Sequence, residues 1–375
     1  MKLVIISHTE HYKTTAGKIV GWGPTINEIN HLASHFESIT HIAMLHDSEA
    51  PPSAAEYTED NIHFVALPVL GGTSISSKLK TIINIPKVIS VVNRTLRNAD
   101  VFQLRTPTGI GVFLIPYLTL FSKKKGWYKY AGNWNQEHPS FGYRIQRYFL
   151  KKQSRIVTIN GQWPTQPKQC LTFENPCLID EDLLSGKDLV SSRQLDEKLN
   201  FCYVGRLETP KGVGRIIEAF GNLSKKEKRR VGQVHLIGDG NEKTHFEELA
   251  QQSDIDFRFY GYLGRNEVFD VYKKSHFFLM PTSASEGFPK VIAEASNFGC
   301  LPVVSSVSAI AQYVKHQENG FIVSPISAEG LKLQLDTIFN LDNSEYQDLL
   351  KHSQDFVKRF TFNYYTSRIL TEILS

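Results

Sequence analysis

Two glutamates flank a Gly-Phe-Pro-Lys turn in the second half of the chain, at Glu286 and Glu294. Pro289 suits the first turn of a helix and Gly299 suits a helix end, so the pattern predicts a short helix that begins near Phe288. The free backbone N–H groups at such a start favour phosphate or developing negative charge. Glu294, deeper in this helix, can accept hydrogen bonds from vicinal hydroxyls such as those of a ribose. By itself the segment is also compatible with a surface helix that carries two solvated glutamates.

A second segment that could hold phosphate follows the apolar run 201–204. Gly205 permits a tight turn at the carboxyl end of a strand, where α/β folds place ligands. Arg206 offers a bidentate guanidinium and Lys211 a point charge, which together match a diphosphate. Gly212 allows close backbone approach at the start of the following helix. The alternative is an ordinary turn between a strand and a helix, with two solvated cations.

Two further strand ends in the same half could contribute to binding. Gly238 lies in a Gly-Asp-Gly turn, and Tyr262 follows an aromatic strand where a nucleotide base could stack or bond to the backbone. A lone Gly-Asp-Gly is often only a turn. Gly238 and Tyr262 therefore indicate a binding site only in combination with the charged residues.

The elements that must position these residues alternate between strands and helices. In the first half the predicted strands are 2–7, 40–45, 62–67, 101–104, 127–131 and 156–160. In the second half the predicted strands are 200–204, 233–237, 256–260, 277–280, 301–305 and 321–323, and the predicted helices are 213–220, 266–274 and 289–298. Such alternation implies mostly parallel sheets covered on both faces, and therefore the α/β class.

Three local patterns complete this organisation. Thr25 and Glu28 have the spacing of a capping box at the start of a first-half helix. The polar stretch 180–198 interrupts the alternation and reads as a linker with one surface helix. In the tail 361–374, apolar residues recur at helical spacing, which indicates a helix that docks on another part of the protein.

The composition limits the class of protein. A chain of 375 residues is long for one core, so two domains are expected. A hydrophobic content of 41% and a charged content of 21% are ordinary for a water-soluble globular protein. The four cysteines have no paired metal spacing and favour a reducing compartment. We see no signal peptide and no apolar run long enough to span a bilayer, so a cytoplasmic location is expected.

The formal charge of +4 is mild, but the basic residues are unevenly distributed. The cations that form this basic patch are Lys123, Lys124, Lys125, Arg144, Arg147 and Lys151. A basic helix face of this kind can rest on an anionic membrane surface, or it can be an ordinary solvated face. Nucleic acid is not expected as a partner, because no recognised binding module accompanies the charge.

The order of basic loop, Gly-Asp-Gly turn and Glu pair, each at a strand end of one half, resembles the retaining glycosyltransferases of GT-B fold, specifically glycosyltransferase family 4. The resemblance implies an α/β protein of two Rossmann-like domains that face each other across a cleft, with the C-terminal helix packing back on the N-terminal domain. It implies an acceptor-side domain over 1–180, joined by 360–375, and a nucleotide-sugar domain over 199–359.

The same resemblance implies roles for individual residues. Glu286, Arg206 and Lys211 are the implied catalytic residues, with Glu286 beside the donor sugar and the two cations on the diphosphate. The implied substrate-binding residues are Gly23, Arg105, Gly205, Gly238, Tyr262, Gly287, Phe288, Pro289, Lys290 and Glu294. Arg105 stands where the family often has a histidine, which leaves the donor sugar open. No metal and no cofactor are expected, since the two cations can serve where Mg²⁺ would elsewhere.

The implied function is transfer of a sugar, with retention of anomeric configuration, from a nucleoside-diphosphate sugar to a glycan or lipid-linked acceptor. A UDP-sugar is the favoured donor, cell-surface polysaccharide synthesis the favoured pathway, and the inner face of the membrane a compatible location. A nucleotide-sugar epimerase, a phosphorylase and a non-catalytic nucleotide-binding module remain alternatives. A dinucleotide oxidoreductase is disfavoured because the Gly21-Trp22-Gly23 segment lacks the third glycine, with Ile26 in its place.

Overall fold

The computed structural model of the protein describes residues 1–72 and 74–375. These residues form two compact units, of which the first comprises 1–174 together with 365–375 and the second comprises 175–364. Each unit is an α/β layer structure with its own apolar clusters.

The first unit is built on a sheet that has nine strands among the described residues. They are β1 (Lys2–Lys13), β2 (Ile19–Trp22), β3 (Ser38–His46), β4 (Ala54–Glu56), β5 (Ile62–Leu67), β6 (Val101–Thr106), β7 (Lys125–Tyr130), β8 (Val157–Ile159) and β9 (Cys170–Thr172). Strand β1 pairs in parallel with β3 and β6, and its last residues pair antiparallel with β2. The antiparallel strands β2 and β4 are an addition to the parallel sheet that the alternation predicts.

Side chains of alternate strand residues point to the two faces of this sheet, as the two-residue period requires. The helices of the first unit are α1 (Gly23–Ala33), α2 (Ile75–Leu96), α3 (Gly111–Phe121) and α4 (Phe141–Lys152). Val4 and Ile6 of β1 pack in one apolar cluster with α2, α3 and α4. Leu3 and Ile5 pack in another cluster with α1 and the C-terminal segment.

The predicted capping box of Thr25 and Glu28 is wrong. Helix α1 begins two residues before Thr25, with Pro24 in its first turn and no side-chain cap among the described residues. Glu28 is instead buried, and its carboxylate accepts hydrogen bonds from Arg105 at 2.8 Å and from Lys129 at 2.7 Å. The spacing matched a capping motif, but two cations from β6 and β7 hold the carboxylate inside the unit.

The C-terminal tail is helical and docks on the first unit, as its apolar spacing predicts. A helix at Phe362–Arg368 continues as a π-helix at Ile369–Leu374. Tyr365, Ile369 and Ile373 are buried against residues of α1 and β1. The Tyr365 hydroxyl also donates to Glu28 at 2.9 Å, which ties the tail to the buried charges.

The second unit is built on a fully parallel sheet of six strands among its described residues. They are β10 (Leu199–Val204), β11 (Val231–Ile237), β12 (Asp256–Gly261), β13 (Phe277–Met280), β14 (Leu301–Ser305) and β15 (Phe321–Val323). Their order across the sheet is β12-β11-β10-β13-β14-β15. This is the doubly wound order in which ligands bind at the reversal point, here between β10 and β13.

The helices of the second unit cover both sheet faces. They are α5 (Asp180–Ser192), α6 (Val213–Gly221), α7 (Lys225–Arg230), α8 (Lys243–Gln251), α9 (Arg265–Lys274), α10 (Lys290–Asn297), α11 (Ile310–Tyr313), α12 (Ala328–Ile338) and α13 (Asn343–Ser353). Short 3₁₀ turns lie at Thr209–Lys211 and Val357–Phe360. In α6, Val213, Ile216 and Phe220 repeat at helical spacing and are fully buried.

Two predictions about this unit need correction. The stretch 180–198 contains the predicted helix, as α5, but it is not only a linker, because Arg193 is buried with its guanidinium on the carbonyl of Lys273 at 2.8 Å. Helix α10 begins at Lys290 rather than near Phe288, and Pro289 is its N-cap with an extended backbone. Gly299 follows the helix end with φ +74°, as expected for a left-handed terminator.

Candidate active site

The loops that follow β10 and β13 leave the same edge of the second sheet side by side, because these two strands are neighbours and parallel. Residues 205–212 follow β10 and residues 281–289 follow β13. The connections of the two strands run in opposite directions across the sheet, so the loops diverge around an open position. The predicted basic loop and the predicted Glu pair therefore meet at the reversal point.

Glycines allow these loops to approach each other more closely than any side chain would permit. Gly212 has φ +96°, and a Cβ there would collide with the Pro281 carbonyl. Gly238 has φ +130°, and a Cβ there would collide with the carbonyl of Gly205. The predicted turn glycines are thus required by backbone contact and by their left-handed conformation.

Hydrogen bonds fix the two loops together. The backbone N–H of Ser283 donates to the Pro210 carbonyl at 2.8 Å. Arg215 of α6 donates to the Pro281 carbonyl at 3.0 Å. Glu242 accepts from the Thr209 backbone N–H at 2.6 Å and from its hydroxyl at 2.7 Å. Arg215 and Glu242 are supporting residues that sequence reasoning missed, although only Asn241 separates Glu242 from the Gly-Asp-Gly turn.

Lys211 and Glu286, which are far apart in the chain, form an ion pair at this point. The Lys211 side chain is only 13% exposed, and burial lowers the pKa of its ammonium, which neighbouring Arg206 lowers further. Arg206 is 70% exposed and pairs with Glu208 at 3.0 Å. The site therefore has one shielded and one solvent-facing cation, both suited to an anionic ligand.

The segment from Gly287 to Lys290 connects Glu286 to α10 and is anchored by its aromatic residue. The Phe288 ring packs 4.7 Å from the ring of Tyr313 and 4.7 Å from that of Phe360. No side chain among the described residues caps the start of α10, so its first N–H groups remain available for phosphate. The side chain of Phe288 thus anchors the segment, and we expect a ligand to contact the backbone N–H groups of the segment rather than this side chain.

Glu294 lies in the second turn of α10, within a different set of contacts. Burial raises the pKa of its carboxyl to about 7, while Arg265 and Lys290 oppose the rise. The hydroxyl of Tyr272 lies 3.5 Å from the carboxylate. Arg265 itself forms an ion pair with Asp182. Glu294 therefore follows Glu286 closely in the chain, but its carboxyl is surrounded by Tyr272 and Arg265, which the local sequence does not indicate.

Tyr262 and Gly205 lie where the motifs predict them. Tyr262 follows β12 and is exposed, after Gly261 with φ +69°. A Cβ at Gly205 would lie 2.8 Å from the hydroxyl of Tyr203, which itself donates to the Arg206 carbonyl at 2.7 Å. Their contact with a ligand stays a prediction.

The two predicted substrate residues of the first unit have different surroundings. Gly23 begins α1, and a Cβ there would lie 2.8 Å from the carbonyl of Ser53. Arg105 ends near the carboxyl edge of β6 but is buried, with Nη2 on Glu28 at 2.8 Å and Nε on Gln103 at 2.8 Å. Its guanidinium is thus committed to a buried ion pair, and a substrate role stays a prediction.

The basic patch predicted from the sequence is partly occupied by internal hydrogen bonds. Lys124 donates to the Ala99 carbonyl at 2.7 Å, and Lys125 donates to the Leu374 carbonyl at 2.8 Å. Arg147 donates to the Trp134 carbonyl at 2.5 Å. Four large aromatic residues of the same region are all buried: Trp127, Tyr128, Tyr130 and Trp134. Lys123, Lys125, Arg144 and Lys151 are the exposed members of the patch.

Two aspartates of the second unit are engaged in local structure. Asp182 accepts from the Ile179 backbone N–H at 2.8 Å at the start of α5, and Asp256 accepts from Gln233 at 2.9 Å. Within residues 1–72 and 74–375, no three His, Cys, Asp or Glu side chains form a metal-binding group. In the same residues no helix is long and apolar enough to cross a membrane.

A solved structure of similar fold defines the class of architecture. Anabaena Alr3699/HepE in complex with UDP superposes with a TM-score of 0.71 at 16% identity, over 100% of both chains. At this identity the likeness shows the fold alone. The chain has the α/β fold with parallel sheets of the GT-B glycosyltransferases, which confirms the predicted fold class.

The family match lies in the second unit. Residues 187–355 match the family model Glycosyl transferases group 1. An uncharacterised glycosyltransferase of Methanocaldococcus jannaschii is 28% identical over 182 residues, which cover 46% of this chain and 45% of that protein. Lipopolysaccharide 1,6-galactosyltransferase of Salmonella typhimurium is 31% identical over 144 residues, covering 36% and 38%. The chain thus spans less than half the length of these curated relatives.

Proposed function

We propose that the protein is a retaining glycosyltransferase that moves a hexose from a UDP-sugar to a glycan or lipid-linked acceptor. The observation that carries this proposal is the pairing of Lys211 with Glu286 at the reversal point of the second sheet, beside the uncapped start of α10. A cation, free backbone N–H groups and a carboxylate at one strand edge suit a diphosphate that is attached to a sugar.

The charges match those that develop when the bond between sugar and phosphate breaks. Negative charge grows on the leaving diphosphate, where Lys211, Arg206 and the start of α10 act as fixed donors. Positive charge grows on the sugar ring, where the Glu286 carboxylate can orient and stabilise it. Backbone contacts and hydrogen bonds hold both loops in place before substrate arrives, so little reorganisation is needed during the reaction.

Retention follows if the acceptor hydroxyl attacks from the face that the diphosphate leaves. The leaving phosphate oxygen then accepts the proton of the acceptor, the bond from sugar to phosphate breaks, and the new glycosidic bond forms on the same face. Lys211 and Arg206 supply the charge that a divalent metal would otherwise supply. Glu294 is proposed to accept hydrogen bonds from the ribose hydroxyls of the donor.

Three comparisons support the donor and the pathway. UDP is bound in the Anabaena structure of similar fold, the Salmonella relative is a lipopolysaccharide galactosyltransferase, and the family match covers Arg206, Lys211, Glu286 and Glu294. Cell-surface polysaccharide synthesis from the cytoplasmic side is the corresponding proposal for pathway and location. The second unit is proposed as the donor domain and the first as the acceptor domain.

A thermal-shift panel of UDP, GDP, ADP and dTDP sugars tests the donor, because a ligand that binds only the folded state stabilises it by about 2.7 kcal/mol at 100 times its Kd. UDP-sugars are expected to give the largest shift. Slow hydrolysis of UDP-glucose, followed by proton NMR, is expected to release α-glucose first. Release of β-glucose would reject retention. Conversion of the donor to a different UDP-sugar with no free sugar would indicate an epimerase, and binding without turnover a non-catalytic module.

A further inference from the structure

The first half of α2 displays an apolar stripe that the first unit does not bury. Val88, Val92 and Leu96 anchor the second half of the helix in the apolar cluster of the unit. The residues of the stripe are Ile75, Leu79, Ile82 and Ile83, all exposed. Their spacing of four, seven and eight positions places them on one helix face. An exposed apolar face of this size marks a contact with another apolar phase.

A second stripe runs along α4 on the same side of the sheet. Helices α2, α3 and α4 share one apolar cluster, and Asn93 of α2 donates to the Tyr117 hydroxyl of α3 at 2.6 Å. The exposed residues of the α4 stripe are Phe141, Arg144, Tyr148, Lys151 and Lys152. They alternate aromatic and basic side chains every three or four positions, the pattern of a helix that lies in a membrane interface.

The charges of these two helices have one sign. Lys78, Lys80 and Lys87 of α2 are exposed, and neither α2 nor α4 contains an aspartate or a glutamate. A second copy of the chain docking on the same face would bring these like charges together, which is unfavourable. An anionic lipid surface accepts the cations at its headgroups and the apolar stripe among its acyl chains.

We infer that the exposed faces of α2 and α4 form a surface that binds anionic lipid bilayers. The stripe of α2 enters the interface and the lysines contact the headgroups. In the lysine run 123–125, Lys123 contributes, because the ammonium groups of Lys124 and Lys125 donate to backbone carbonyls. The inference goes beyond the proposed sugar transfer and does not depend on it. Binding to vesicles requires neither a donor nor an acceptor.

The test is co-sedimentation of the full chain with vesicles, in the absence of nucleotide sugar. One set of vesicles contains phosphatidylcholine alone, and the other mixes phosphatidylcholine with phosphatidylglycerol. The wild-type chain is expected to bind the mixed vesicles and to be released by salt, because exposed charges are screened. Binding to neither set, or equal binding to both, would overturn the inference.

Two double variants separate the apolar and the charged contributions. Leu79→Gln with Ile83→Gln is expected to lower partitioning at least about tenfold, since two large apolar side chains lose their burial. Lys78→Glu with Lys80→Glu is expected to lower partitioning into mixed vesicles about tenfold or more. All four residues are exposed, so folding should be unaffected, and circular dichroism checks this.

Matched controls lie in the second unit. Leu333 of α12 is 57% exposed and Leu79 is 56% exposed, so Leu333→Gln controls for loss of a surface leucine. Lys225→Glu with Lys226→Glu in α7 controls for charge reversal. An equal loss of binding in these controls would overturn the inference. Wild-type self-association that the Leu79→Gln, Ile83→Gln variant abolishes, without wild-type vesicle binding, would assign the surface to a second copy and would likewise overturn it.

Discussion

The ammonium of Lys211 and the carboxylate of Glu286 form an ion pair at the reversal point of the second sheet. Their loops are fixed by the hydrogen bond from Ser283 to Pro210 and by the close approach of Gly212 to Pro281. Without ligand, Glu286 therefore neutralises the cation that a diphosphate would need. When the donor binds, its diphosphate must therefore replace the Glu286 carboxylate as the anion that pairs with Lys211.

Glu286→Gln should separate binding from turnover. Removal of the competing carboxylate frees the Lys211 ammonium. UDP affinity is therefore expected to rise by up to about tenfold, which corresponds to the free energy of one hydrogen bond to a charged group. Hydrolysis of UDP-glucose should fall about 10²-fold, because a group aimed at the transition state is lost. Calorimetry and UDP-release assays measure the two effects. Glu247→Gln, which alters a surface pair with Lys243 at 3.9 Å, should change neither, and weaker UDP binding in Glu286→Gln would contradict the exchange.

Glu294 should make donor affinity depend on pH. Its carboxyl pKa is raised to about 7 by burial, so the free protein loses the carboxylate as pH falls through this value, and affinity should fall with it. UDP-glucose is the suitable probe, because free UDP has a phosphate that titrates near pH 6. Calorimetry between pH 6 and 8 is the measurement, with values chosen to bracket the raised pKa. Glu294→Gln should bind more weakly and with no pH dependence in this window. An unchanged pH profile in the variant would exclude Glu294 from the site.

The same raised pKa has an opposite effect on folding. The folded protein binds more protons at Glu294 than the unfolded chain does between the ordinary value of 4.5 and about 7. This contribution to stability is therefore complete below 4.5 and is lost as pH rises through 7. Saturating UDP-glucose should oppose that loss.

Gly238→Ala should damage both stability and the site. A Cβ at this position collides with the Gly205 carbonyl, and φ is +130°, so the free energy of unfolding should fall by more than about 1 kcal/mol. The displaced Gly205–Arg206 turn should also weaken UDP-glucose binding. Gly221→Ala is the control, because a Cβ there meets nothing within 4 Å. Urea unfolding compares the two, and equal stability would contradict the backbone argument.

Glu28→Gln should destabilise the first unit strongly. The carboxylate pairs with Arg105 and Lys129 in the interior, and its removal leaves two buried cations without it, at a cost of about 3–5 kcal/mol. Glu37→Gln, which breaks the exposed pair with Lys2 at 3.2 Å, should cost less than about 1 kcal/mol. Chemical denaturation of both variants is the measurement. Similar losses of unfolding free energy in the two variants would show that the buried ion pair stabilises the protein no more than the exposed one does.

Much of the second unit could be predicted because most of its strands are short, largely buried apolar runs. The bounds of β13, β14 and β15 agree with the predicted ones. Burial on both sheet faces makes such strands continuous apolar segments, which are visible without any tertiary information. The basic loop and the Glu pair could be located for the same reason, because each follows one of these strands.

The contacts between distant residues could not be predicted. The spacing of Thr25 and Glu28 matched a capping box, but β6 and β7 place Arg105 and Lys129 beside Glu28. These two cations are distant in the chain, so the sequence around Glu28 does not indicate them. The pairing of Lys211 with Glu286 and the bracing of Thr209 by Glu242 likewise depend on which strands are neighbours. The exposed stripe of α2 was missed because apolar helix residues suggest burial, and only the fold shows that these remain outside.

Calorimetric titration of UDP-glucose into the full chain tests the central claim most directly, in the wild type, Lys211→Ala and Arg258→Ala. Arg258 is a matched control because it also pairs with an acidic neighbour on the surface of the second unit, at 3.5 Å from Asp256. We predict that Lys211→Ala loses at least about tenfold in affinity, as expected for a charge-assisted contact, while Arg258→Ala binds like the wild type. Equal affinity in a folded Lys211→Ala protein would contradict the account.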